Sequence, residues 1–170
     1  MNSELQTFDA MLESKSELKL GLNKSIVQVA LAMLARQEHS RQQVKSKLIA
    51  KGFESVDIEP VLDYYELQNY INDCRYGEML VRAHIEKGHG LLRIKQVLIQ
   101  KGLNRENVQH VLDSTDCDWF ELAKNKAIKK YGLDNLQAKD QKEKAKRVRY
   151  LLGQGFSYEQ VSYVLEDREY

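Results

Sequence analysis

Histidine, cysteine and carboxylate side chains most often carry catalysis or bind metals, and this sequence holds few of them in a useful arrangement. Cys74, His84 and His89 could approach one another, but their spacing matches no standard zinc pattern. Cys74 and Cys117 are not spaced as a redox pair either, and we interpret both as reduced thiols. We interpret all four histidines as surface or helix-end residues: His39, His84, His89 and His110. The sequence therefore predicts no metal site.

Nucleotide-binding loops and paired catalytic carboxylates are equally weak signals here. Gly88-His89-Gly90 lacks the third glycine and the preceding strand of a dinucleotide-binding loop, so it favours a flexible turn between helices. The pair Glu166-Asp167 is typical of a solvated tail. Because no recognisable set of catalytic groups remains, a small hydrolase or metal enzyme is disfavoured. We predict a protein that is not an enzyme and needs no cofactor.

Lysine and arginine give the clearest chemical pattern, because basic side chains outnumber acidic ones between residues 75–105 and 119–149. Lys142, Lys146 and Arg149 recur at helical spacing and share one face. A row of cations can neutralise phosphates or meet an acidic protein surface, whereas lysine-rich faces also simply keep helices soluble. Our candidates for contact with a partner or with DNA are Arg75, Arg82, Arg93, Lys126, Lys129, Lys130, Lys142, Lys146 and Arg149.

Apolar stripes indicate which helix faces point away from solvent. In the helix that opens the third unit, the stripe comprises Phe120, Ala123, Ala127 and Tyr131. It places Lys126, Lys129 and Lys130 on the opposite side. In the second unit the stripe comprises Tyr76, Met79, Leu80 and Ala83. It places Arg75 and Arg82 away from the core.

An internal repeat organises the chain. The sequences LIAKGF, LIQKGL and LLGQGF surround Gly52, Gly102 and Gly155, and each is followed at the same distance by valine, leucine and an acidic residue. Abundant helix-forming residues and a single proline favour helix almost everywhere. The pattern predicts an all-α fold, an elongated array of three tandem three-helix repeats. The repeats are assigned to residues 25–72, 73–118 and 119–170, after an N-terminal extension at residues 1–24.

Glycines and capping residues mark the predicted helix ends. Each repeated glycine suits the left-handed residue that ends a helix, and the apolar residue after it can fold back onto the last turn. Ser40 and Ser157 each precede a glutamine at capping-box spacing, and Asn104 and Asp118 are two further candidate N-caps. Each repeat is therefore expected to have well-defined helix boundaries.

Composition limits the class of protein. The chain has 170 residues, of which 26 are basic and 25 acidic, and this balance predicts no general affinity for polyanions. Its longest apolar run, residues 29–34, is much shorter than the roughly 20 residues that cross a bilayer. The first residues lack the features of a secretory signal. We therefore expect a cytoplasmic protein with no membrane association, and we expect a monomer.

The second repeat carries a family resemblance. The segments DCRYGE, KGHGLLRI and LIQKGL, which begin at Asp73, Lys87 and Leu98, resemble the central signature of the RecX regulatory proteins, modulators of the RecA recombinase. ARQEHS in the first repeat, with DWF and KYG in the third, supports the resemblance, which covers residues 25–166. One departure is Leu91, where the family commonly has proline. Leucine can also start a helix.

The resemblance implies a function that residue patterns alone do not give. It implies that the protein docks in the groove of the RecA filament on DNA and inhibits ATP hydrolysis, strand exchange and the coprotease activity of RecA. Recombination and the SOS response would be restrained as a result. RecA would be the main partner, and DNA would be contacted weakly through its phosphates. The alternative is a stand-alone helical nucleic-acid-binding protein, because three-helix units with a glycine turn resemble helix-turn-helix architecture.

Overall fold

A computed structural model of the chain describes residues 21–136, 138 and 140–165. Most of the predicted N-terminal extension and the Glu166-Asp167 pair lie outside these residues. Nine α-helices and one short 3-10 helix (Leu133–Asn135) make up the regular structure of the described part, which contains no strand. The helices are α1 (Lys24–Leu34), α2 (Arg41–Ala50), α3 (Ser55–Leu67), α4 (Asp73–Glu86), α5 (Leu91–Gln100), α6 (Arg105–Asp113), α7 (Trp119–Tyr131), α8 (Gln141–Gly153) and α9 (Tyr158–Leu165).

Three separate hydrophobic clusters confirm the predicted repeats. Helices α1 to α3 enclose the first cluster, with Leu48 and Tyr65 at its centre. Helices α4 to α6 enclose the second around Leu98, and helices α7 to α9 enclose the third around Leu151 and Phe156. Each repeat thus buries its own apolar side chains. The all-α fold with three tandem three-helix units is confirmed, whereas the elongated arrangement and the repeat boundaries stay predictions.

The repeated glycines end the middle helix of each unit in the same way. Gly52, Gly102 and Gly155 have φ angles of 91°, 90° and 92°, a conformation that strains residues with a side chain. In the first unit the Phe53 amide donates to the Leu48 carbonyl at 3.3 Å, and the Gly52 amide donates to Ile49 at 2.9 Å. The same pair of bonds recurs in the other two units. These are Schellman caps, as the repeated motif predicted.

The predicted N-caps are also present. Ser40 and Ser157 each form both bonds of a capping box with the glutamine three residues later. Asn104 accepts from the Asn107 amide at 2.8 Å, and Asp118 accepts from the Phe120 amide at 3.0 Å. Leu91 is the first residue of α5, so leucine does start this helix in place of the family's proline.

The predicted apolar stripe on α4 is partly wrong. Tyr76 is buried as expected, but Met79 is 38% exposed, and the other buried positions are Gly77 and Val81. A Cβ atom at position 77 would lie 2.8 Å from a Leu103 methyl, so the missing side chain lets the core of the second repeat approach α4 closely. The buried face of α4 is therefore centred on a glycine, which a search for large apolar residues overlooks.

The chain divides into two compact units, on either side of the peptide bond between Asp73 and Cys74. The first unit contains α1 to α3, and the second contains the helices of both remaining repeats. The second and third repeats thus share one compact body, which the evenly spaced motif does not reveal. No helix within the described residues combines the length and the apolar character that a bilayer crossing requires.

Candidate functional site

The turn between α4 and α5 packs directly against the turn between α8 and α9. The Gly90 amide donates to the Gln154 carbonyl at 2.8 Å, and the Leu92 amide donates to the Gly155 carbonyl at 3.0 Å. The first amides of a helix have no partner within it, and Gly90 has no side chain that could cap them. Two backbone carbonyls of the third repeat therefore cap the middle helix of the second.

Glycine is required on both sides of this junction. A Cβ atom on Gly90 would overlap the carbonyl group of Gly155 and the Phe156 amide, which are backbone atoms that cannot rotate away. A Cβ atom on Gly155 would overlap the backbone of Arg93 in the same manner. The close approach brings Arg93 onto the third repeat, where its Nη1 donates to the Gly153 carbonyl at 3.4 Å. The two repeats are joined by backbone contacts at this point.

Lys126 lies at the same junction, which corrects its predicted position on a solvent-facing side of α7. Its side chain is half-buried and packs over Gly88, and its Nζ donates to the Lys87 carbonyl at 2.7 Å. Gly88 has a φ angle of 67° and no side chain, so the turn leaves room for the lysine stem. The lysine thereby brings a positive charge from the third repeat to the turn of the second.

His84 and His89 form a pair at the end of α4. Their Nδ1 atoms lie 2.8 Å apart, and their ring centroids lie 4.9 Å apart. Burial, followed by the charges of Lys87 and Arg93, lowers the pKa of His84. Burial, followed by the charge of Arg93, lowers the pKa of His89 to about 4. Both rings are therefore neutral at physiological pH, and one of the two Nδ1 atoms must donate to the other.

We call His84, Lys87, His89, Arg93 and Lys126 the junction cluster. Apart from His84, which also lowers the pKa of His89, the charges that perturb its histidines come from lysine and arginine. The charges that lower the pKa of Lys126, after burial, are those of Lys129 and Arg93. Within the described part of the chain, no ion pair with a carboxylate neutralises these side chains. Like charges held this close raise one another's energy, and an anion that bound among them would relieve it.

The remaining candidates divide by exposure. Arg75 is half-buried, and the other six are exposed: Arg82, Lys129, Lys130, Lys142, Lys146 and Arg149. Arg82 is 3.9 Å from Glu78, a weak surface ion pair, and Lys130 lies 5.6 Å from the centre of the Tyr150 ring. Arg93 and Lys126 are thus the two candidates that the structure brings to the junction.

Arg147 has a structural role that the sequence reasoning missed. It is only 4% exposed, and its guanidinium donates to the Asn135 carbonyl, to the Leu136 carbonyl at 2.7 Å and to Glu143 at 2.6 Å. The same group stacks 4.8 Å from the Tyr131 ring centre. It fixes the connection between α7 and α8 and so positions the cationic face of α8. Glu143, one helical turn before Arg147, is the sequence feature that could have indicated this role.

His39 is not a surface histidine, which corrects that part of the prediction. The residue is 2% exposed, its Nδ1 donates to the Gln37 carbonyl at 2.9 Å, and its Nε2 accepts from Lys47 at 2.5 Å. Burial lowers the pKa of His39, which keeps the ring neutral. The described residues contain no group of three or more histidine, cysteine or acidic side chains suited to a metal ion.

Family comparisons cover each repeat separately. The chain matches the sequence models for the first, second and third three-helix domains of RecX at residues 28–64, 72–112 and 116–165. A protein of Vibrio parahaemolyticus called regulatory protein RecX is 41% identical over 138 residues, which cover 81% of this chain and 88% of the relative. Its namesake in Shewanella oneidensis is 52% identical over 118 residues, or 62% of this chain and 93% of the relative.

Solved structures show the same fold. The crystal structure of RecX from Lactobacillus salivarius has a TM-score of 0.71 at 24% identity, and the match covers 82% of this chain and 92% of that one. A second crystal structure, of a regulatory protein RecX, also has a TM-score of 0.71, at 25% identity. That match covers 82% of this chain and 70% of the other. The domain matches and the identity to relatives over most of their length lead to one conclusion: this chain belongs to the RecX family of regulatory proteins.

Proposed function

We propose that this protein binds the filament that RecA forms on DNA and inhibits its ATPase, strand-exchange and coprotease activities. By this action it would modulate recombination and the SOS response in the cytoplasm. The family is one of regulatory proteins, and the relatives carry that description in their names. The observation that carries the proposal is the junction cluster, where cationic side chains from two repeats gather without neutralising carboxylates.

A nucleoprotein filament presents DNA phosphates beside protein surface, and the distribution of cations in this chain suits such a target. The junction cluster supplies concentrated charge, while the exposed Lys142, Lys146 and Arg149 add a row along α8. Charges of this kind hold a protein on a polyanion with steep dependence on salt. The bound protein would then obstruct filament growth or the incoming duplex, without chemistry of its own.

The proposal is tested by DNA-dependent ATP hydrolysis of the cognate recombinase, titrated with the purified protein. We expect hydrolysis to fall as the protein is added. The charge-reversed variant Lys142→Glu/Lys146→Glu/Arg149→Glu should need a higher concentration for the same inhibition and should show weaker salt dependence. Unchanged ATP hydrolysis with the wild-type protein would contradict the proposal. If inhibition and its salt dependence were unchanged in the variant, the basic face of α8 would not be part of the interface.

The alternative is a nucleic-acid-binding protein that acts without a recombinase. The junction cluster favours this alternative as well, because cations bind phosphates whether or not protein coats the DNA. Binding to bare DNA and to RecA-coated DNA at the same salt concentration separates the two functions. We expect tighter binding to the coated DNA, and equal or weaker binding there would favour the alternative.

A further inference from the structure

We propose that the junction cluster is a binding site for a DNA backbone phosphate, and that the His84–His89 pair takes up a proton when the phosphate binds. This inference deepens the proposed function, because it names the atoms that hold DNA and the condition that strengthens their hold. Neither histidine was among our sequence-based candidates for partner contact. The hydrogen bond between the two rings and the charges that surround them support the proposal.

The ring geometry limits the pair to one added proton. With 2.8 Å between the two Nδ1 atoms, one Nδ1 carries the proton and the other accepts it. In the neutral pair, one Nε2 atom is therefore protonated and the other is not. One further proton fits on that bare Nε2 and leaves the bond between the rings intact. The singly protonated pair then has two outward Nε2 donors and one positive charge. A second added proton would place two donors against each other.

The surroundings explain why the proton is absent before an anion binds. Lys87, on the turn, and Arg93, on α5, act on both rings, and Lys101 at the end of α5 also acts on His84. Lys126 approaches His89 from α7. Every one of these groups is a cation, so each opposes protonation of the pair. The same charges disfavour a divalent metal ion at the two rings, and they favour an anion.

A phosphate bound beside Arg93 and Lys126 would reverse this effect. Its negative charge would compensate the cations and raise the pKa of the pair, and one outward Nε2 could then donate to a phosphate oxygen. By thermodynamic linkage, protonation of the pair must strengthen phosphate binding to the same extent. Affinity for DNA should therefore increase as the pH falls below about 6.5, the ordinary value for histidine. When binding takes up one full proton, the affinity rises about tenfold for each unit by which the pH falls.

The test is a binding titration of a labelled single-stranded oligonucleotide with the full-length protein at several pH values and constant ionic strength. We compare the wild type with His84→Gln/His89→Gln and with the control His110→Gln, an exposed histidine on α6. Wild type and control should bind at least tenfold more tightly at about pH 5 than at about pH 6.5, whereas the double variant should lose this dependence. Affinity that does not change with pH, or pH dependence that persists in the double variant, would overturn the site.

A measurement on the wild-type protein covers the case in which the double variant folds poorly. Nuclear magnetic resonance of the histidine side chains gives the pKa of His84 and His89 with and without the oligonucleotide. We expect DNA to raise the pKa of the pair and to leave that of His39 in place. An unchanged pKa for the pair would overturn the proposal. If the protein inhibited the recombinase but its DNA affinity did not depend on pH, the phosphate site would be wrong and the proposed function would stand. If DNA affinity depended on pH as expected but the recombinase was not inhibited, only the proposed function would be wrong.

Discussion

Two arginines near the beginning of a middle helix, Arg41 in the first repeat and Arg93 in the second, have opposite surroundings. Arg41 lies 2.6 Å from Glu59, 2.7 Å from Asp63 and 2.5 Å from Glu66, three carboxylates on one face of α3. Although burial lowers the pKa of Arg41, its hydrogen bonds to Asp63 and Glu59 raise it above the ordinary value. Arg93 contacts a backbone carbonyl and is surrounded by other cations.

The difference teaches that the number of basic residues is a poor guide to an anion-binding surface in this fold. In the first repeat, Lys45 also pairs with Glu59, so the charges of Arg41 and Lys45 are neutralised inside the repeat. When the repeats are aligned on Gly52 and Gly102, Arg41 corresponds to Leu91, and Glu59 corresponds to Gln109. The second repeat therefore lacks the internal ion pairs of the first. Within the described residues, Arg93 contacts no carboxylate and remains available to an external anion.

The largest effect on stability is expected from breaking the junction itself. Gly90→Ala should lower the free energy of unfolding by about 1–3 kcal/mol, because the new Cβ atom would overlap backbone of the third repeat. Its backbone, with φ of −78° and ψ of 165°, is one that alanine adopts without strain, so the loss reports packing alone. Urea denaturation measures the change.

Gly153→Ala is the matched control for this substitution. Position 153 is the last residue of α8, and nothing lies within 4 Å of the place that its Cβ atom would take. Alanine there should leave the free energy of unfolding unchanged or raise it by up to about 1 kcal/mol, because it favours helix over the unfolded chain. If both variants lost the same stability, the close contact between Gly90 and Gly155 would not be what joins the second and third repeats.

A smaller effect is expected in the first repeat. Arg41→Gln removes three ion pairs and leaves Glu59, Asp63 and Glu66 adjacent on α3. These carboxylates are partly exposed, so solvent screens them, and the loss in free energy of unfolding should be about 1 kcal/mol. The loss should shrink at high salt, which urea denaturation at two salt concentrations would reveal. A destabilisation that does not change with salt would contradict the electrostatic explanation.

Much of this organisation could be predicted from the sequence, because it depends on local chemistry. The repeated glycine motif predicted three similar helix ends, since glycine adopts without strain the left-handed conformation seen at Gly52, Gly102 and Gly155. Ser40 and Ser157 predicted helix starts because each can form a capping box with the glutamine three residues later. In these cases the decisive bonds join residues only a few positions apart.

Features that depend on contacts between distant residues could not be predicted in this way. The approach of Gly90 to Gly155 and the burial of Lys126 both require that the second and third repeats pack together. The burial of Arg147 does not follow from helical spacing either, because its carbonyl partners lie on an irregular connection. The basic candidates could be identified, but the contacts that bring Arg93 and Lys126 to the junction are visible only in the fold.

A separate effect concerns the pH dependence of stability. The pKa values of His39, His84 and His89 are lowered in the folded protein, mainly by burial. As the pH falls below 6.5, the unfolded chain takes up protons that the folded chain does not, so stability decreases. For His89 the loss is complete near its folded pKa of about 4. Urea denaturation across this range should show a shallower pH dependence for His89→Gln. If the stability of the variant depended on pH as steeply as that of the wild type, His89 would not contribute to the pH dependence.

The central claim is that charge at the junction makes a main contribution to binding of the target, whereas basic charge already paired inside a repeat contributes little. The most direct test measures affinity for RecA-coated single-stranded DNA as a function of salt. Arg93→Gln/Lys126→Gln and Arg41→Gln/Lys45→Gln each remove one arginine and one lysine. We predict that the first variant binds more weakly, with a log–log salt slope reduced by about one to two units, while the second binds as the wild type does. Equal losses in the two variants, or none at the junction, would contradict the claim.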